Sequence, residues 1–466
     1  MPTARAGRSV ASDVHLTRDY SVPVTTAAGS LDREILRLAW PAFLALVSEP
    51  LFLLADAAIV GHLGTGQLAG LGVAGAVLQT AVGLCVFLAY GTTASVARRT
   101  GAGDVRGALQ QGLDGVWLAL LVGAVTTVVG VLVAERLAAL FGAGAAVTGF
   151  ASTYLRVAFL GVVPLLVMLA TTGILRGLQD TRTPLVVAVA GNLLNVGLNI
   201  GLVYGVGLGI AGSALGSVTA QAASACALLA VVVRTARGVG ASLRPDLPGV
   251  RRAAHAGVAL VVRTLTLRVS LLAMTYGAAV LGAASVAANQ LASTVWTFLA
   301  FTLDAVAIAA QAITGRSLGA GDLEATRALT DRMLRWGLVS GVATGCLLAA
   351  AAPFVGRLFT EDAHVRAVLW PALLVAAVLQ PVAGVVFVLD GVLIGAGDAR
   401  YLAWGGVVVL AVFLPLVWLA VALGHGRPAG TGLVALWLVF GVGFMGGRAA
   451  VLLRRVRGTA WLVPGG

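Results

Sequence analysis

Residues 366–398 read RAVLWPALLVAAVLQPVAGVVFVLDGVLIGAGD, and nothing from Ala367 to Leu389 is ionisable. A helix needs about 20 apolar residues to cross roughly 30 Å of hydrocarbon, so this stretch spans a membrane with length to spare. Pro371 and Pro381 do not forbid a helix there, because neighbouring spans in a bundle re-satisfy the backbone groups that proline frees.

The same reading outward gives twelve such runs, at approximately 34–60, 68–94, 108–134, 150–175, 184–208, 211–234, 255–282, 286–313, 330–354, 366–394, 402–424 and 431–453, with a thin joint near Gly209. Composition agrees: of 466 residues 59% are hydrophobic and 11% charged, against roughly 25% charged in a soluble domain. The mean hydropathy is +0.98. A soluble protein of this length needs a polar shell that these residues cannot supply.

The net charge is +12 and every basic side chain is arginine. Nucleic acid is excluded as a partner because the arginines are scattered singly between apolar runs and form no soluble basic face. They do alternate between loops. Arg98, Arg99 and Arg106 follow span two, Arg176 and Arg182 flank the loop after span four, and Arg234 to Arg252 surround the central loop. Arg316, Arg327, Arg332 and Arg335 follow span eight, Arg454 to Arg457 close the chain, and loops 61–67, 205–210 and 282–285 hold none. The positive-inside rule then places both termini in the cytoplasm of a plasma (inner) membrane protein. Residues 1–30 are polar with no apolar signal core, an expected cytoplasmic tail. Cys85, Cys226 and Cys346 lie in apolar runs without metal-type spacing and read as small core residues.

The quoted stretch ends in GVLIGAGD (391–398), which repeats GILRGLQD (173–180) at an offset of 218 residues. Gly101-Ala102-Gly103-Asp104 recurs as Gly319-Ala320-Gly321-Asp322, and Leu140-Phe141 as Leu358-Phe359, at the same offset. The fold class is therefore all-α and polytopic, with about 12 transmembrane helices in two six-helix lobes. The lobes run 31–234 and 255–453, joined by a linker at 235–254 and followed by a cytoplasmic tail at 454–466. Six is even, so both halves insert with the same orientation and a solute path is expected at their interface.

EPLFLLADAAIVGHLGTGQLAG (49–70), VAANQLASTVWTFLAFTLDAVAIAAQAITGRSLGAGD (286–322), GILRGLQDTRTP (173–184) and LDGVLIGAGD (389–398) together resemble the DinF-like branch of the multidrug and toxic compound extrusion family. The resemblance covers about residues 31–453. It implies a V-shaped two-lobe bundle and cation-coupled efflux of organic compounds across the plasma membrane, with no cofactor beyond a coupling proton or sodium ion. It also implies a role for the acid of the first span in a cation site with an Asn-x-x-x-Asp motif of span five. Here Asn195 matches the Asn, and Asn199 stands where the Asp is usual. This departure removes a charge and favours a proton over sodium.

Ionisable groups within a span are functional candidates because they are costly there. Asp56 lies late in span one, with Glu49 two turns earlier. Desolvation favours the neutral form of a carboxylate, which suits a group that takes up and releases a proton. Glu49 reads equally as the cap of a kink before Pro50. Asn192, Asn195 and Asn199 form one stripe that Ser217 of span six is placed to meet; the alternative is inter-helix glue. Asp304, Gln311, Gln380 and Asp390 are candidates for a substrate cavity in the second lobe. The aromatic run Trp296, Phe298 and Phe301 suits cationic or zwitterionic amphiphiles. Asp304 and Asp390 read equally as partners of Arg263 or Arg268. No metal cluster, catalytic motif or nucleotide loop is present, so an enzyme is not expected. The partners expected are the bilayer and a small organic solute, with a monomeric chain. A flippase of lipid-linked glycans is the alternative, distinguished by a strongly cationic cavity.

Overall fold

The computed structural model describes residues 28–424 and 429–465; the expected tail at 1–30 therefore lies almost wholly outside the described residues. Twelve helices are long and apolar enough to span a bilayer. They are α1 Leu31–Gly61, α2 Thr65–Gly101, α3 Val105–Ala139, α4 Ala145–Gly177, α5 Arg182–Gly205, α6 Gly209–Gly238, α7 Leu247–Val280, α8 Ala283–Gly319, α9 Leu323–Phe359, α10 Ala363–Gly395, α11 Ala399–Gly424 and α12 Gly430–Arg457. No strand occurs among the described residues.

Most helices overrun the apolar runs that announce them. α9 begins seven residues before the expected 330, and the expected linker at 235–254 shrinks to the connection between Gly238 and Leu247. Hydropathy marks only the hydrocarbon crossing, whereas a helix continues until it is capped. The caps are the repeated motifs. Gly103, Gly321 and Gly397 adopt φ of 78°, 76° and 77°, the left-handed turn that closes a helix. The following Asp104 and Asp322 accept the backbone N–H groups of Gly107 (2.7 Å) and Ala325 (2.8 Å) and so start the next helix. Gln179 takes the same conformation without being glycine (φ 62°).

Two hydrophobic cores, one per six-helix half, fill the lobes. Helix α1 belongs to both. Leu31, Ile35, Leu38 and Ala42 pack into the core of the second half, while Val60 packs into the first. Pro50 lies inside the helix between these two ends.

The lobes meet at the arginine-rich face. A methyl group on Gly101 would overlap the carbonyl of Arg316, and one on Gly319 would overlap the carbonyl of Arg98, so α2 and α8 touch backbone to backbone. Each pair is related by the 218-residue offset. Arg98 also donates to the carbonyls of Ala396 (2.6 Å), Val463 (2.8 Å) and Gly465 (2.7 Å). This threads the C-terminal segment into the seam, with Trp461 2% exposed. The other half is tied by Gln179, which donates to Glu34 (3.2 Å) and accepts from Arg316 (2.5 Å), and by Asp32, which accepts from Arg332 and Trp336. The expected tail at 454–466 is thus a docked strap whose helix runs to Arg457.

Of the cysteines, Cys85 is buried, but Cys226 and Cys346 are exposed. An apolar run in a bilayer protein has a lipid-facing side as well as a core side, and these two occupy the former.

Candidate functional site

Asp56 is 3% exposed in the final turns of α1. Its Oδ1 accepts from Nδ2 of Asn199 on α5 (2.8 Å) and from Oγ of Ser213 on α6 (2.5 Å). The phenol of Tyr154 on α4 is also hydrogen-bonded to it and lies beside Ser213 and Ser217. Asn195 donates to Ser217 Oγ at 3.0 Å. Four helices therefore close on one carboxylate, and no arginine or histidine pairs with it among the described residues. Buried oxygens Oδ1 of Asn195 and Asn199 have no hydrogen-bond partner; that of Asn199 is pressed against Gly216.

Spacing alone brings Asn195, Asn199 and Ser217 to Asp56. It does not reveal Tyr154 or Ser213. Tyr154 is one of three aromatics in its span, between Phe150 and Phe159, and Ser213 precedes the serine that drew attention. Asn192 donates to the Ser48 carbonyl (3.2 Å) and ties α5 to α1 outside the site. Glu49 is exposed and stands apart from Asp56. Both lie in one continuous helix that carries Pro50 inside it, and of the two only Asp56 is buried.

The candidates of the second half divide. Asp390 is not a free cavity acid: its Oδ2 accepts from Arg263 on α7 (2.6 Å) and from Arg448 on α12. The three side chains are 9%, 12% and 10% exposed respectively. Arg448 was not singled out by sequence, although an arginine between Gly446-Gly447 and the apolar run 449–453 is the signal that marks it. Arg268 is exposed and reaches Gly83 of α2 instead. Gln380 is 1% exposed and bonded to Thr344 (3.2 Å), which makes it a contact between α9 and α10 and not a cavity wall. Gln311, 2% exposed, donates to the Tyr90 carbonyl across the lobe seam at 2.7 Å.

Asp304 is half-buried and makes no hydrogen bond or ion pair among the described residues. Its strongest electrostatic partner is Arg176 at the end of α4, followed by Arg263. Arg176 reads as a loop residue in the sequence, yet it is drawn inward to face Asp304 and Tyr90. The seam thus holds three arginines against two aspartates. Trp296 is 7% exposed and packs tilted against Trp437 and edge-on against Phe440 (centroids 5.9 and 5.3 Å), so it belongs to the core.

The protein called Protein DETOXIFICATION 44, chloroplastic, of Arabidopsis thaliana is 31% identical over 90% of this chain and 83% of its own length. DNA damage-inducible protein F of Escherichia coli (strain K12) is 30% identical over 53% of this chain and 54% of its own length. A Vibrio cholerae MATE transporter, VcmN in the bent form, superposes with a TM-score of 0.83 at 21% identity, over 93% of this chain and 98% of that one. The signature of the MatE family matches residues 41–200 and 259–419, two stretches that begin 218 residues apart. The repeat, the twelve spans and these matches agree: the chain is a multi-pass membrane transporter of the MatE family.

Proposed function

We propose that this transporter is a proton-coupled antiporter that expels small amphiphilic organic compounds, with Asp56 carrying the proton. The observation that supports this is a deeply buried carboxylate surrounded only by neutral groups. Such a charge has no fixed counter-charge, so a mobile cation must compensate it. Hydroxyls both donate and accept. Ser213 and Tyr154 donate to ionised Asp56 and accept from its protonated form, so the site holds either state without rebuilding. Asn199 turns its donor nitrogen to Asp56, which suits a carboxylate and not a bare metal ion, and Asn195 gives its own to Ser217.

Alternating access follows from α1. Its first half is anchored in the second lobe and its end carries Asp56 in the first. A change of charge at Asp56 alters packing on one side of Pro50 and is felt by the lobe on the other. The arginine-rich face, closed here, is the cytoplasmic one by the positive-inside rule, and the membrane is the plasma membrane. The chain acts as a monomer. Its substrates are zwitterionic or mixed-charge amphiphiles more than simple cations, since Arg176 faces Asp304 across the seam.

Sodium coupling is the second reading, favoured by the two unpartnered amide oxygens of Asn195 and Asn199, which would ligate a cation after both amides flip. Reconstituted vesicles with a pH gradient or a sodium gradient imposed separately decide between them. Efflux driven by pH alone is expected; efflux that follows sodium and ignores pH overturns the proton assignment.

A further inference from the structure

A cavity lies away from the polar site, at the arginine-rich face between the start of α7 and the start of α11. It encloses about 810 Å³ and is lined by Arg251, Arg252, His255, Arg400, Ala256 and Ala259, among others. The internal repeat explains why it is open. At the corresponding corner of the first lobe, Gln179 donates to Glu34 at 3.2 Å and closes the joint between α1 and the loop before α5. The residues 218 positions later are Gly397 and Arg252. Glycine has no side chain to offer and arginine has no acceptor, so the second joint stays unfilled and becomes basic.

Its charge is not cancelled from within. Asp398, the one acid on the wall, accepts from Arg455 at 2.6 Å. Arg252, itself exposed, has only a 3.7 Å contact with half-buried Asp246, a pairing of little strength. Arg251 and Arg400 have no ion pair among the described residues. The ring Nδ1 of His255 lies 2.9 Å from the Arg251 carbonyl one turn back.

Position decides the ligand. α7 has 34 residues, about 50 Å at 1.5 Å per residue, against roughly 30 Å of hydrocarbon. Its first turns therefore stand at head-group level, where Arg251 and Arg252 sit, while Ala256 and Ala259 lead down into the apolar zone. Guanidinium groups match phosphate oxygens in geometry and charge, and basic pockets between spans suit anionic head groups. We propose that this cavity binds the phosphate head group of an anionic phospholipid from the leaflet at the arginine-rich face, with a chain lying along Ala256 and Ala259. The site is independent of the coupling reading and stands or falls separately.

The test uses the full-length protein in neutral detergent, titrated with phosphatidylglycerol, phosphatidylcholine or inorganic phosphate, with bound lipid read by native mass spectrometry. The wild type is expected to retain phosphatidylglycerol in preference to phosphatidylcholine. In Arg251→Gln/Arg400→Gln its dissociation constant should rise about 30-fold, the equivalent of about 2 kcal/mol at roughly 1 kcal/mol per basic residue. Arg234→Gln, on the same face but outside the cavity, should bind as the wild type does. Ala256→Trp, which fills the cavity and leaves the arginines, should lose the lipid as well. Unchanged affinity in the double variant, equal retention of phosphatidylcholine, or saturation of the site by inorganic phosphate at the same concentration overturns the proposal.

Discussion

Replacing Asp390 by asparagine keeps the side-chain volume and removes one negative charge from between Arg263 and Arg448. Both guanidinium groups are about nine-tenths buried and share one carboxylate oxygen. Removing one partner of a buried pair costs about 3–5 kcal/mol, because a desolvated charge is left uncompensated; here two are left. The ring of Phe444, 5.6 Å from Arg448, softens this only slightly. Asp56→Asn is the same chemical change at an equally buried site with the opposite expectation. No cation depends on Asp56, and an asparagine still accepts from Asn199 and donates to a hydroxyl. Its cost is that of one rearranged hydrogen bond, about 1 kcal/mol. Thermal melting in detergent compares both variants with the wild type. Asp390→Asn should melt far lower and express poorly, and Asp390→Asn/Arg448→Met should recover part of the loss because one orphaned charge is gone. Equal melting of the two single variants would refute the division of the buried acids into a structural and a working one.

Asp56→Asn, though folded, should lose efflux driven by an imposed pH gradient; near-normal drug efflux in reconstituted vesicles would remove Asp56 from the mechanism. Asn199→Asp adds a second anionic group beside Asp56, and sodium-stimulated efflux should appear or strengthen by tenfold or more in apparent sodium affinity. In Asp304→Asn, substrates bearing a positive group should be lost selectively while neutral ones are still exported; uniform loss with poor expression would make Asp304 structural. Gly101→Val forces a side chain into the Arg316 carbonyl. It should prop the arginine-rich face open, read as increased labelling by a membrane-impermeant thiol reagent of a cysteine placed at Thr100.

The spans were legible because each is an uninterrupted apolar run, and the lobes because three motifs recur at one offset. The polar site was legible in part. Asparagines at positions 195 and 199 share a helical face by spacing alone, and the first-span acid is costly wherever it points. What spacing cannot supply is which arginines leave the loops. Arg176 and Arg448 sit at or near span ends in the sequence, yet their long side chains reach inward to Asp304 and Asp390. That changes the charge of the seam from acidic to mixed, and with it the expected substrate. Glu49 is exposed where Asp56 is buried, a difference that a spacing of seven residues cannot show.

The repeat also exposes where the halves have parted. Residues 218 positions after Asp56, Tyr154, Asn195 and Asn199 are Met274, Ala372, Phe413 and Val417, all of them buried in the second hydrophobic core. The volume that holds a hydrogen-bonded carboxylate in one lobe holds packed apolar side chains in the other. Conversely, the residues 218 positions before Arg263, Asp304 and Asp390 are Ala45, Val86 and Thr172, none of them ionisable. Each lobe thus carries one polar centre, at positions that the repeat does not relate. In the first lobe Asp56 has no fixed counter-charge, the condition for exchanging a proton. In the second, Asp390 is locked between guanidinium groups, the condition for rigidity. On the proposed proton-coupled reading, the uncompensated acid of the first lobe is where a proton acts, and the second lobe is the frame against which α1 moves.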